Sequence, residues 1–182
     1  MLHQPTDVVD RTRSWIASFV IGLNLCPFAQ AVFDAGTIRY VASLAKNPKE
    51  LKAELTEELQ SLVALSGDVR ETTFLIHPYV LLDFLAYNDF LAVADEVVEE
   101  LGLSGTIQIA SFHPNYQFAG TAPGDAENYS NRSPYPMLHL LREESISAAA
   151  EVYGELGEIP VRNRAMLTKL GVPAIQARLK QT

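Results

Sequence analysis

Two of the four histidines in this 182-residue chain stand in matching positions. Phe74-Leu75-Ile76-His77-Pro78 and Ala110-Ser111-Phe112-His113-Pro114 each close an apolar run with His-Pro. Imidazole has the side-chain pKa nearest neutrality, which suits proton transfer. If both runs are parallel neighbouring strands, about 4.8 Å apart, the rings can share one pocket at the carboxyl edge. That edge is where open α/β sheets bind ligands. His113 and His77 are therefore general acid–base candidates. The alternative is that each imidazole only hydrogen-bonds loop main chain.

A second constellation follows. Residues 115–136 are rich in Gly, Pro, Asn and Ser, lack helical or strand periodicity, and predict a long ordered loop. Long loops inside compact domains are often functional. This one carries Tyr116, Asp125, Asn128, Asn131, Arg132 and Ser133, with His139, Arg142 and Glu143 just beyond. Arg132 and Arg142 could clamp a carboxylate or phosphate through the planar guanidinium fork. Asn131 and Tyr116 could orient such a ligand. The same polar residues also serve a loop that satisfies its own backbone, the role favoured for Asn128 and Ser133.

His139 and Glu143 could join His77 and His113 in a mononuclear metal site, but no HExxH or CxxC spacing accompanies them. Cys26, the one cysteine, could be a nucleophile if a helix beginning at Pro27 or a docked histidine lowered its pKa. Its neighbours Leu23, Leu25 and Phe28 favour a buried thiol instead. No P-loop, GxGxxG or GxSxG is present, and no cofactor is implied.

The elements that must position these groups read as a mixed α/β chain, one domain over residues 1–182. Val8, Thr12, Trp15, Ile16, Phe19, Val20 and Leu23 share one face of a first helix that stops before Pro27. A strand over residues 37–44 precedes a helix capped by Asn47, Pro48 and Glu50. A second strand spans residues 72–76, helical periodicity runs over 80–101, and a third strand covers 106–112. This alternation predicts three or four strands, largely parallel, joined by crossover helices. The segment 137–142 reads as a fourth strand or the start of a helix, the strand being favoured, 145–153 as a helix, and 160–170 and 173–180 as two short closing helices opened by prolines.

Composition narrows the class. Hydrophobic residues make up 48% and charged residues 20%, as in ordinary globular proteins. A net charge of −8 argues against nucleic-acid binding. The local exception, Arg162, Arg164, Lys169, Arg178 and Lys180, reads as a solvated helix face. A single cysteine suits a reducing compartment. His3, Asp7 and Asp10 precede any apolar run, unlike a secretory signal. The apolar stretch 16–28 is too short and too broken to cross a membrane. A cytoplasmic protein is expected.

The segments Ile21-Gly-Leu-Asn-Leu-Cys-Pro-Phe28, Thr73-Phe-Leu-Ile-His-Pro78, His113-Pro-Asn-Tyr-Gln-Phe118, Asn131-Arg-Ser-Pro-Tyr-Pro136 and His139-Leu-Leu-Arg-Glu143 resemble a bacterial family known as domain of unknown function 1415. The resemblance spans nearly the whole chain. It implies a bacterial, cytoplasmic, single-domain protein and brings no activity, substrate or catalytic residue. From the residues alone, the leading expectation is a small enzyme or binder acting on an anionic small molecule. A metal-dependent hydrolase using His77, His113, His139 and Glu143 is the alternative in chemistry. A non-catalytic interaction module, with an exposed apolar patch around Tyr116, Phe118, Tyr129 and Tyr135, is the alternative in class.

Overall fold

The computed structural model describes residues 4–153 and 157–180; His3, expected ahead of the first apolar run, lies outside them. Helix α1 (Pro5–Trp15) has Pro5 in its first turn, where a missing N–H is harmless. It runs directly into a π-helical turn, Ile16–Ile21. The wider spacing persists at its exit, where Gly22 N–H donates to Ala17 O at 3.1 Å and Leu25 N–H to Val20 O at 2.8 Å. A Cβ on Gly22 would lie 2.2 Å from Ser18 O, so only glycine fits this exit. Helix α2 (Ala29–Ala35), which the sequence pattern did not single out, follows.

Strand β1 (Ile38–Ala42) leads to α3 (Pro48–Val63), whose expected cap is present: Asn47 Oδ1 accepts from Glu50 N–H at 3.0 Å. After β2 (Thr72–Ile76) comes α4 (Phe84–Glu100), then β3 (Ile107–Phe112). α4 starts later than the periodicity suggests. Asp83 is its true cap, accepting from Ala86 N–H at 3.0 Å, and residues 78–83 form a turn. Strand β4 (Met137–Arg142), α5 (Glu143–Tyr153), α6 (Glu158–Leu170) and α7 (Val172–Leu179) complete the described chain.

The sheet order is β1-β2-β4-β3. The sheet is mixed, and the expectation of a largely parallel one is corrected: β1 and β2 are parallel, but β4 is antiparallel to both β2 and β3. The reason lies in the connection. A parallel strand needs a crossover that returns the chain to the opposite edge. Residues 113–136 contain only a 3-10 turn, Ala126–Ser130, and stay at the edge where β3 ends. The next strand must therefore run back the other way. Met137, Leu138, Leu140 and Leu141 also give β4 apolar side chains on both faces, which suits a central position.

Strand alternation divides the core. Leu75, Ile107, Leu138 and Leu140 face α3 and α4, meeting Leu51, Leu55, Leu59, Leu62, Tyr87 and Phe90. Phe74, Ile76 and Met137 face the other way, against Val8, Trp15, Ile16 and Phe19 near the amino end and Leu167 and Ile175 near the carboxyl end. Both crossover helices thus cover one face, and the chain's two terminal regions cover the other.

Arg142, expected to hold a ligand, instead joins β4 to the end of α3. Its Nη2 donates to Leu62 O at 2.8 Å, Leu65 O at 2.6 Å and Arg70 O at 3.1 Å, and the residue is buried. A cation on the last carbonyls of a helix satisfies orphan acceptors and opposes the helix dipole. Replacing it with methionine keeps the stem and strips those partners. Arg142→Met is expected to lower unfolding free energy by about 2–4 kcal/mol, read from urea denaturation. A loss below about 0.5 kcal/mol contradicts this role.

Candidate functional site

Although β4 separates them, β2 and β3 run in the same direction, so His77 and His113 do finish on one edge. Their rings flank Tyr87, at centroid distances of 5.8 and 5.1 Å, and both histidines are fully buried. His77 Nδ1 lies 3.0 Å from Val80 O, which requires its N–H on that nitrogen; Nε2 has no hydrogen-bond partner among the described residues. His113 Nδ1 accepts from Asn115 N–H at 3.0 Å, so its Nε2–H points at Leu81 O, 3.3 Å away. The two imidazoles hold consecutive carbonyls of the turn before α4. Leu81 in that turn has φ +56°, a left-handed conformation costly for leucine.

Burial pushes His77 down to about 4, with the Val80 carbonyl pulling it back and His113 adding to the drop. His113 is also lowered by burial, against the opposing pull of the Leu81 and Leu82 carbonyls and Asp83. Tyr87 completes the cluster. Its hydroxyl donates to Met137 O at 2.8 Å and accepts from Phe112 N–H at 3.0 Å, stapling β4 to β3.

The remaining expected residues are dispersed. His139 lies on the opposite sheet face from His77 and His113, stacked on Phe74 at 3.7 Å, with Nε2 2.7 Å from Thr72 Oγ1. The residue as a whole is half-buried, and burial pushes its imidazole down to about 3. Glu143 sits at the far edge of the sheet, its N–H bonded to Thr106 O. The four proposed metal ligands therefore do not converge. Among the described residues no three His, Cys, Asp or Glu side chains form a metal-binding group.

Arg132 is committed to its own loop. Nε donates to Tyr116 O at 3.2 Å and Nη2 to Pro123 O at 2.6 Å, and the guanidinium lies 4.4 Å above the Tyr129 ring. Asn128, fully buried, accepts from Phe118 N–H and Thr121 Oγ1 and donates to Ala122 O. Tyr116 packs between Phe84 and Phe118 at 5.2 and 5.0 Å. The apolar patch expected around it shrinks, because Tyr129 and Tyr135 are buried and only Phe118 is exposed.

The cavity lies elsewhere, beside the end of β3 on the face opposite His113. It encloses about 380 Å³. The π-helical turn presents Val20, and the Leu25 N–H bond to Val20 O holds Leu25 and Cys26 beside it. Phe112 and Phe118 supply aromatic wall, and Pro160 of α6 closes the apolar part. The polar wall is largely committed. Asn131 Nδ2 donates to Ser111 O at 3.1 Å, while its Oδ1 accepts from Ser130 Oγ at 3.0 Å. Asn163 Nδ2 donates to Leu25 O at 2.7 Å, and Arg164 pairs with Glu127 at 2.5 Å.

Of the residues expected to form a site, the cavity gathers Cys26 and Asn131. It adds Glu127, Asn163 and Arg164, which sequence reasoning did not place in a site. Arg164 belonged to the basic run read as a solvated face, and the run's docking onto the loop was the missed signal. Burial pushes the Cys26 thiol up, against the Phe28 and Ala29 N–H groups and the charge of Arg162. Cys26 is accordingly a protonated, half-buried thiol at neutral pH.

With the cavity's walls traced from Val20 to Arg164, comparison with known proteins can be set beside them. Residues 7–177 match the family model described as Protein of unknown function (DUF1415). The chain belongs to the DUF1415 family. Every wall of the cavity lies inside the matched span, so the cavity is built from the DUF1415 region itself. No curated protein and no solved structure matches the chain. The DUF1415 description carries no activity, which leaves function to the geometry.

The clamp histidines give this DUF1415 protein a defined acid sensitivity. Unfolded His77 takes a proton near 6.5, but folded His77 only near 4. The unfolded state therefore binds more protons in that window, and stability falls as pH drops from 6.5 to 4. The expected loss from His77 is on the order of 3 kcal/mol, with stability flat just above pH 7. Urea midpoints at pH 7, 5.5 and 4.5 measure it. His77→Gln should make the curve shallower, with His113 and His139 carrying the slope that remains; an unchanged slope in that variant rules His77 out as a contributor.

Proposed function

We propose that this chain binds a small organic molecule in the cavity formed by the end of β3, the turn at residues 126–131, the turn at residues 22–26 and α6. The observation that carries this reading is the cavity itself. Its volume, about 380 Å³, falls in the range of small-molecule sites, and apolar walls with a few placed polar groups are their usual composition. Cys26 and Asn131 stand on its walls.

The chemistry favours binding over nucleophilic catalysis. A thiol nucleophile needs a lowered pKa or an adjacent base. Cys26 is shifted the other way, and the His113 ring faces α4 on the opposite side of the sheet. Nor do Arg132 and Arg142 support an anion site, since main-chain carbonyls occupy both guanidinium groups. A bacterial cytoplasm is part of the same proposal. One unpaired thiol fits a reducing compartment, and among the described residues no helix is long and apolar enough to cross a membrane.

Cys26 is the chain's one thiol, so its alkylation reports on the cavity without labelling elsewhere. A compound that raises the melting temperature in a thermal-shift screen is expected to slow alkylation of Cys26 by roughly tenfold at saturation. Stabilising compounds that leave the alkylation rate untouched would place the binding site elsewhere and remove the proposal.

A further inference from the structure

Two opposite charges meet in this cavity, one far more exposed than the other. Glu127 and Arg164 form an ion pair, but their side chains are 24% and 66% exposed. Glu127 rises from the 3-10 turn, whose main chain is braced by Ser130 Oγ donating to Glu127 O at 3.0 Å. Arg164 reaches in from α6 on a long stem that water can receive at little cost, since exposed ion pairs contribute little. Swinging Arg164 out leaves the cavity nearly as it stands. Glu127 is the more sheltered partner and has less open water to turn into.

The rest of the wall is compatible with a cation beside the carboxylate. Phe112 and Phe118 line the cavity, and aromatic rings can attract cations. The amide nitrogens of Asn131 and Asn163 each commit one N–H, to Ser111 O and Leu25 O. Arg162 does not line the cavity; its Nη2 is held on Asn24 O at 2.7 Å.

We infer that the ligand of this cavity is cationic, an amine or guanidinium on an apolar body, whose charged group takes the place that Arg164 now holds on Glu127. The inference rests on the small-molecule reading above and names its ligand class. Arg164 acts as an internal stand-in: it neutralises Glu127 when the cavity is empty and yields to a ligand bringing both a cation and apolar surface. A neutral molecule gains only the walls. A carboxylate can reach Arg164 only by displacing Glu127, the more sheltered partner.

Three probes of one shape test this: 2-phenylethylamine, 2-phenylethanol and 3-phenylpropanoate, each titrated calorimetrically and by protection of Cys26 from alkylation. The amine is expected to bind best. Arg164→Gln, which frees the seat, should tighten the amine by roughly tenfold, and Glu127→Gln should weaken it by roughly tenfold. The alcohol should respond to neither substitution. Melting temperatures of both variants without probe should match the parent, which separates loss of binding from loss of fold. If the alcohol or the carboxylate protects Cys26 at least as well as the amine, or Glu127→Gln leaves amine affinity unchanged, the cationic class is wrong while the cavity reading stands. If no probe protects Cys26 in any variant, both fall.

Discussion

The main chain of residues 131–137 threads between the ends of β2 and β3, and its hydrogen bonds fix nearly everything at that edge. His113 N–H donates to Asn131 O, His77 N–H to Pro136 O, and Tyr87 reaches from α4 to Met137 O. Because Pro78 and Pro114 have no N–H, each histidine amide is the last donor its strand can extend before the turn. Those two bonds hold the returning chain in the gap and deliver β4 into the centre of the sheet. The same placement turns Asn131 toward the cavity and buries the imidazoles under the start of α4.

The opposite sheet face is organised by aromatic rings. Tyr40, Phe74 and His139 stack in sequence across β1, β2 and β4, with centroids 5.9 and 3.7 Å apart. Phe112 of β3 continues the row at 6.2 Å, and Trp15 meets it edge-on at 5.5 Å. Aromatic contacts contribute about 0.5–1.5 kcal/mol each beyond area burial. Phe112 is both the end of this row and a wall of the cavity, so that wall is held in place from α1 through to β1.

Much of this architecture was legible. Apolar spacing located β2 to the residue, and Asn47-Pro48 with Glu50 marked the start of α3. The repeated His-Pro pair did announce a shared edge. Which of its two readings applies, acid–base pair or main-chain clamp, cannot be told from sequence: Val80 O and Leu81 O, in a turn with a left-handed leucine, each engage one nitrogen of a ring. The sheet's mixed character was available in principle from the missing helix between β3 and β4. Cavity walls contributed by residues 20–26 and 160–164 were not, since local periodicity says nothing about which distant segments meet. Arg142 and Arg132 show the same limit, as a guanidinium that could clamp an anion serves carbonyl oxygens equally well.

The central position of β4 also governs the order in which this chain can acquire its structure. During synthesis β1, α3, β2, α4 and β3 emerge first, yet β2 and β3 are joined only through β4, which follows both. Until then the inner edges of both strands stand open, and the aromatic row lacks His139 and the cover from α6 and α7. Open strand edges beside bare apolar surface invite pairing between nascent chains. The final quarter of the polypeptide is therefore what converts two unjoined halves into one sheet, and translation that halts before it leaves an aggregation-prone fragment.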